Sequence, residues 1–356
     1  MLTDLYVLIL AGGSGERFWP LSRKATPKQL LNLFSDQTLL EDTISRLSDL
    51  VPLENILVLT NRDQIDSVRR IITALPAENI YAEPDKRDTA AAIALGVGLV
   101  VRRNPAATMV VLPADHIIRD SAALCRDLAT AVAAARSTGA LVTIGIPPTW
   151  ACPGFGYIEQ GARLAGSAEP IYEVKCFREK PAPDLAETFL RAGNFRWNAG
   201  MFIWTIPSIL AEFQRNTPAL FDFIQRLAQT VNSSELETFL EKEFPALPKI
   251  SVDYAILEKA LRVLVLEASF DWDDVGGWLA VANYLPSDGC DNRANTPTTI
   301  FDAANNIIYA RGKKHIALLG VSDLVIVETE DAILIANRHE TENIKTLLKK
   351  IPPELL

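Results

Sequence analysis

The sequence predicts an α/β protein, a doubly wound domain on a parallel sheet followed by a small β domain. Three observations carry this. Short apolar runs of strand length (Val7–Leu10, Asn55–Thr60, Thr108–Leu112, Leu141–Gly145) alternate with stretches of helical periodicity, which means right-handed βαβ units. A glycine turn, Gly12, Gly13 and Gly15, follows the first run at once. Beyond residues 286–297, rich in turn formers, the apolar runs become short and regularly spaced, as in a small all-β element.

A chain of 356 residues suits two domains, placed here at 1–286 and 287–356. With 49% hydrophobic and 22% charged residues the composition is that of a soluble protein with a sizeable core. The net charge of −9 argues against a nucleic-acid partner, which would need a basic surface. Four cysteines without C-x-x-C spacing and only three histidines make a thiolate or imidazole zinc site an unfavoured reading. A reduced, cytoplasmic setting is expected. Asp4, with no positive lead before the first apolar run, speaks against a signal peptide. No apolar run approaches the roughly 18–20 residues of a membrane span, so no membrane partner is expected.

The stretch Val7–Gln29, V-L-I-L-A-G-G-S-G-E-R-F-W-P-L-S-R-K-A-T-P-K-Q, organises the rest. Its apolar run reads as a strand buried on both faces. The glycines let the backbone turn sharply with its N–H groups uncovered, and such a loop can cradle phosphate oxygens. Arg17 and Lys28 add positive charge, with Arg23 and Lys24 between them. The whole reads as a triphosphate site; the plainer alternative is a glycine turn with solvated charges. It is neither a Walker A loop, lacking Gly-Lys-Ser/Thr, nor G-x-G-x-x-G, since Phe18 stands at the third glycine.

Taken in order, Thr38–Leu50 has helical spacing with Thr38 and Glu41 as a capping box, and a second helix runs from Asn61 to about Leu75. Asn79–Ala82 is a short strand. Glu83–Ile93 leads into a helix, Ala90–Val101, whose small residues predict close packing on a sheet. Asp88 and Thr89 open it as N-caps, as ligand contacts, or as both. The fourth strand ends in P-A-D-H; Asp115 there is well placed for Mg²⁺, or simply caps the turn. Asp120–Ser137 reads as a helix, Gly154–Glu159 as a turn entering a strand, and Ile171–Phe177 as an antiparallel strand. Asn194–Trp204 is an aromatic strand broken at Asn198–Gly200, and helices between about Pro207 and Phe244 cover one side of the sheet. Ser251–Ala260 reads as a helix capped by Ser251. Three carboxylates in four residues, Asp271, Asp273 and Asp274, repel one another unless solvated or bound to a cation. Four short strands (306–309, 315–319, 324–328, 332–336) and an amphipathic helix, Glu340–Lys350, close the chain.

L-A-G-G-x-G-x-R followed by P-K-Q resembles the signature of the sugar-nucleotide pyrophosphorylases, and the F-W-P-L-S-R insert looks like their mannose-1-phosphate guanylyltransferase branch. Further likenesses run through E-P-D-K-R-D-T-A, L-P-A-D-H, G-F-G-Y-I-E, E-K-P, W-N-A-G-M-F and D-V-G-G-W, so the resemblance spans essentially the whole chain. It implies a Rossmann-like nucleotidyltransferase domain and a small C-terminal left-handed β-helix-like domain. It also implies GMP transfer from GTP to α-D-mannose 1-phosphate, giving GDP-mannose and pyrophosphate by Mg²⁺-assisted in-line displacement. Leu10, Ala11, Gly12, Gly13 and Gly15 would bind the nucleotide, with Arg17 on its β- and γ-phosphates and Lys28 neutralising charge. Glu83, Arg87, Asp88 and Thr89 would line the base pocket, Asp88 standing where Asn is usual. Gly156, Glu159, Glu179 and Asn198 would meet the sugar, and Lys180 its phosphate. Asp115 and Asp274 would hold the metal, completing a catalytic set of Arg17, Lys28, Asp115, Lys180 and Asp274. Asp273 stands where the family often has Ser, and with Asp271 it is taken as a solvated neighbour. The C-terminal domain is expected to be structural, with a homodimer as a candidate assembly. Longer relatives continue into a cupin-like isomerase domain, so that second activity is expected to be lacking here. The rival readings are another sugar 1-phosphate, such as glucose or a manno-heptose, and a non-catalytic regulatory homologue.

Overall fold

The computed structural model describes residues 1–312 and 314–356. Its centre is β1, Leu5–Leu10, whose side chains alternate between two cores: Val7 and Ile9 join the cluster on one face of the sheet, Tyr6 and Leu8 that on the other. Eight further strands complete the sheet: β2 Ile56–Asn61, β3 Ile80–Glu83, β4 Thr108–Pro113, β5 Leu141–Ile146, β6 Tyr157–Arg163, β7 Ile171–Arg178, β8 Phe195–Thr205 and β9 Val263–Glu267. Their order is β3-β2-β1-β4-β8-β5-β9-β7-β6. The chain runs outward from β1 to β3, then returns to lay β4 on the other side of β1, both parallel to it. At such a reversal the C-terminal strand ends part into a crevice, the usual ligand position in doubly wound sheets.

Helices cover both faces. On one lie α1 (Leu39–Ser45), α2 (Ile65–Ile71), α4 (Ser121–Thr138) and α5 (Pro183–Ala192). On the other lie α3 (Asp88–Arg103), α6 (Ile206–Asn216), α7 (Pro218–Ala228) and α8 (Ser233–Glu243). The predicted capping box of α1 is present, with Thr38 Oγ1 accepting from the Glu41 amide and Glu41 from the Thr38 amide. The small residues of α3 do what they predict: a Cβ on Gly96 would stand 2.4 Å from Leu8 Cδ2, so the helix lies almost on the sheet.

Three expectations need correction. The sheet is mixed, because β8 inserts antiparallel between β4 and β5. The segment Ser251–Ala260 is not an α-helix but a short π-helical turn, Asp253–Leu257. Glu340–Lys350 is divided between a 3-10 turn, Arg338–Asn343, and one helical turn, Ile344–Leu348.

The C-terminal strands are β10 Arg293–Ala294, β11 Thr298–Phe301, β12 Ile307–Ala310, β13 Ile316–Leu319, β14 Leu324–Glu328 and β15 Ile333–Asn337. β10, β12 and β14 stack in parallel, as do β11 and β13, in the manner of β-helix coils, and β15 closes the stack antiparallel to β14. This unit shares a core with the signature stretch. Phe18, Trp19, Val275 and Trp278 pack with Ile307, Tyr309, Val325 and Val327. Trp19 Nε1 donates to the Leu355 carbonyl at 2.9 Å. Each large side chain so covered contributes ~1.5–3 kcal/mol. A chain ending at Leu285 is therefore expected to melt well below the full-length protein, since Trp278 and Phe18 become exposed; equal melting temperatures would show the shared core to be dispensable.

Candidate active site

The glycine loop leaves the end of β1 with its carbonyls tied down. The Ala11 amide donates to Leu59 O at 2.7 Å. Gln29 Nε2 donates to the carbonyls of Ala11 and Gly13, Thr60 Oγ1 to Ala11, Asn61 Nδ2 to Gly12 and Gln64 Nε2 to Gly13. With the carbonyls held inward, the amides of Gly12, Gly13, Ser14 and Gly15 find no acceptor among the described residues. Unspent amides at a sheet's switch point are an anion cradle. Gly15 is required by its geometry: its φ is +62°, and a Cβ there would lie 2.5 Å from Lys28 Cβ.

Lys28 closes that approach. Its buried ammonium donates to Asp115 Oδ2 at 2.7 Å and to the Asp274 carbonyl at 2.6 Å. The end of β4 and the loop after β9, far apart in sequence, thus meet on one lysine. Burial, the largest single influence, works against the charge of Asp115, but the Lys28 charge and hydrogen bond, His116 and a backbone donor together outweigh it and hold the carboxyl below its usual range. Asp274 goes the other way, to about 6: burial raises it, Lys28 relieves it in part, and Asp273 and Asp115 add repulsion. Burial pushes His116 down to about 4, so its imidazole is neutral; Nδ1 accepts from Trp272 Nε1 at 3.0 Å, a structural role. Arg17 lies over the same loops. One guanidinium nitrogen reaches the Gly276 carbonyl at 3.4 Å and another pairs with Glu342 of the C-terminal unit at 2.8 Å.

Of the neighbouring acids Asp271 is exposed, as expected, whereas Asp273 is half-buried and held by protein donors. Asp271 accepts from the amides of Arg119 and Asp120, fixing the turn into α4. Asp273 accepts from the Val275 amide and the Tyr284 hydroxyl. A carboxylate can satisfy its charge with backbone donors as well as with water, and acidic spacing in a sequence does not reveal those donors.

Beside the loop a cavity of about 490 Å³ runs between Leu10, Gly12 and Gly13 on one side and Glu83, Arg87, Asp88 and Thr89 on the other. Burial, and next the Asp88 charge, push the Glu83 carboxyl up to about 7. Asp88 and Thr89 are not the N-cap of α3. Arg87 holds that place, while Asp88 has φ +66° and accepts from the Thr89 amide at 2.8 Å. Thr89 Oγ1 instead accepts from Val252 N. Arg87 pairs with Asp85 at 2.8 Å.

The cavity continues toward the expected sugar residues through Gly200, Lys249 and Asp253. A Cβ on Gly156 would meet Glu179 Oε2 at 2.6 Å and Asn198 Cβ at 3.5 Å, so these three stand together. Asn198 Nδ2 donates to Asp253 Oδ1 at 2.8 Å. Burial, then Glu179, raise the Asp253 carboxyl to about 6. Lys180 reaches Glu179 Oε1 at 3.0 Å from an exposed position. Glu159 is engaged elsewhere, accepting from Lys175, Cys176 and Asn194 rather than from the Gly156–Asn198 group. Sequence reading missed Asp253, Lys249 and the loop-pinning Gln29 and Gln64. The π-helical turn that presents Asp253 has no signal in the apolar spacing.

A switch-point crevice with free loop amides, a buried ammonium and two facing carboxylate loops defines an enzyme of phosphoryl or nucleotidyl transfer. Known proteins agree. The Nucleotidyl transferase family profile matches residues 6–287, and that of the MannoseP isomerase/GMP-like beta-helix domain matches 299–351. A mannose-1-phosphate guanylyltransferase of Klebsiella pneumoniae is 36% identical over 344 residues, 96% of this chain and 72% of that one. One from Sinorhizobium fredii (strain NBRC 101917 / NGR234) is 33% identical over 360 residues, 99% of this chain and 68% of its own. A solved Thermus thermophilus structure, described as a mannose-1-phosphate geranyltransferase, has a TM-score of 0.86 at 34% identity and covers 98% of this chain and 99% of that one. The chain is thus an enzyme of the nucleotidyl transferase family, in the group of the mannose-1-phosphate guanylyltransferases. Among the described residues no helix is long and apolar enough to cross a membrane.

Proposed function

We propose that the protein transfers GMP from GTP to α-D-mannose 1-phosphate, giving GDP-mannose and pyrophosphate. The observation that carries this is the meeting of Asp115 and Asp274 on Lys28 beside four unspent loop amides. The names of the relatives supply the nucleotide and the sugar. A phosphate oxygen of the sugar phosphate attacks the α-phosphorus, and the bond to the bridging oxygen breaks, releasing pyrophosphate. No covalent intermediate with the protein is needed, so catalysis rests on positioning and charge. The loop amides of Gly12, Gly13 and Gly15, with Arg17, take the β- and γ-phosphates as they leave. For this Arg17 exchanges the Glu342 carboxylate for phosphate. Lys28 stabilises charge on the nucleotide phosphates, and Lys180, exposed and free to swing from Glu179, takes the phosphate of the incoming sugar. Gly156, Glu179 and Asn198 form the sugar end.

The donor set fits Mg²⁺. Asp115 and Asp274 offer hard oxygens, and the raised Asp274 carboxyl reflects a buried charge that a cation would relieve. Among the described residues no three His, Cys, Asp or Glu side chains gather to hold a metal by themselves. Two carboxylates with phosphate oxygens and water completing the shell are typical of Mg²⁺. Bound there, it would neutralise charge on the phosphates of the nucleotide. A pyrophosphate-release assay across four nucleoside triphosphates and mannose, glucose and manno-heptose 1-phosphates tests the proposal. GTP with mannose 1-phosphate should give the highest kcat/KM, and a higher value for another pair would replace the substrate named here.

A further inference from the structure

The acidic run 271–274 contains a carboxylate that the reaction does not use directly. Asp273 pairs through its backbone with Ile117, two residues past Asp115: Ile117 N donates to Asp273 O at 2.9 Å and Asp273 N to Ile117 O at 3.1 Å. This bridge makes the two loops that bear Asp115 and Asp274 one body. The side chain adds a second tie. Oδ1 accepts from the Val275 amide at 2.7 Å, and Oδ2 accepts from the Tyr284 hydroxyl at 2.9 Å. Tyr284 is itself braced, its ring centroid 4.5 Å from that of Phe34 and 4.8 Å from the Arg119 guanidinium.

Val275 shows what the tie opposes. Its φ is +45°, a left-handed conformation that a β-branched residue rarely adopts, and its side chain is fully buried with Trp278 and Phe18. Freed from Asp273, the amide of Val275 would turn toward the ordinary region. Asp274 lies between the two, its carbonyl on Lys28, so its carboxylate would turn with them.

We propose that Asp273 is a positioning residue for the nucleotidyl transfer: anchored by Tyr284, it holds Val275 left-handed and so aims Asp274 toward Asp115 and Lys28. The proposal rests on the reading of Asp274 as catalytic. The test compares Asp273→Ala, Asp273→Ser, Tyr284→Phe and Asp274→Asn for kcat, KM for GTP, melting temperature and amide hydrogen exchange across residues 271–281. A serine hydroxyl can accept from the amide two residues on, so Asp273→Ser should keep the Val275 amide protected and retain part of the activity, short of wild type because the Tyr284 anchor is lost. Asp273→Ala should lose that protection and about 10² in kcat, the scale of a misplaced reacting group, while KM for GTP stays within about twofold because the loop and cavity are untouched. Tyr284→Phe should lose kcat at unchanged KM and melting temperature. A wild-type kcat in Asp273→Ala alongside an impaired Asp274→Asn overturns the positioning role alone. Wild-type turnover in Asp274→Asn overturns the underlying site reading as well. Equal losses in the Ala and Ser variants also sink the proposal. If Asp273→Ala does not fold, Tyr284→Phe decides: a kcat loss supports the anchor and an unchanged kcat overturns it.

Discussion

Replacing Asp115 or Asp274 by asparagine should lower turnover by a factor of ~10²–10³, the scale of removing one preorganised charge-stabilising group. The two variants should differ in stability. Asp115 is the carboxylate partner of the buried Lys28 ammonium. Its neutralisation leaves that ammonium with the Asp274 carbonyl and the neutral amide; because the Asp115 side chain is 36% exposed, the cost falls below the ~3–5 kcal/mol of breaking a fully buried pair. The Asp274 carboxylate already sits in an unfavourable field, raised to about 6 by burial and by the acids around it. Asp274→Asn should therefore melt at or above the wild-type temperature while losing activity. The double variant should turn over little more slowly than either single one, because the carboxylates act as a unit. The measurement is turnover against Mg²⁺ concentration, with melting temperatures recorded in parallel. Near wild-type rates at saturating Mg²⁺ in either single variant would remove that residue from the catalytic set.

What could be seen in the sequence was mostly local. The β1–glycine-loop unit is legible because a doubly buried strand, a sharp turn and nearby cations are all consecutive, and its strand and loop fold as expected. The capping box of α1 and the close seat of α3 follow from spacing in the same way. Strand order does not: nothing in Asn194–Trp204 says that β8 lies antiparallel between β4 and β5, since pairing is decided by partners distant in the chain. That insertion brings Asn198 next to Asp253. The convergence of Asp115 and Asp274 came from a family resemblance, not from periodicity. Asp273 shows the opposite failure. It reads as solvated because the donors that hold it, the Val275 amide and the Tyr284 hydroxyl, leave no mark in composition.

Glu83 should decide the base. Its carboxyl lines the cavity beside Gly12 and Asp88 and is pushed up to about 7 chiefly by burial. Guanine presents two N–H donors on one edge, which an ionised carboxylate accepts; adenine presents a ring acceptor there and leaves the carboxylate unpaired. Discrimination of GTP over ATP by kcat/KM is therefore expected at roughly 10⁴, as for sites built around a ligand's hydrogen-bond donors. Glu83→Gln, which keeps one acceptor and adds a donor, should lose most of that ratio, chiefly through weaker use of GTP. The pH dependence has a defined sign. A carboxyl raised in the folded state contributes stability that is fully present below its unfolded value, near 4.5, and is lost as the pH rises through about 7. Without ligand, the wild type and Glu83→Gln should melt alike at acid pH, and the Gln variant should be the more stable one above neutrality. GTP should reverse that order at alkaline pH by giving the ionised carboxylate its donors, and ATP should not. If GTP and ATP shift the melting of the wild type equally above pH 7, or if Glu83→Gln keeps the full preference for GTP, the guanine contact lies elsewhere in the cavity.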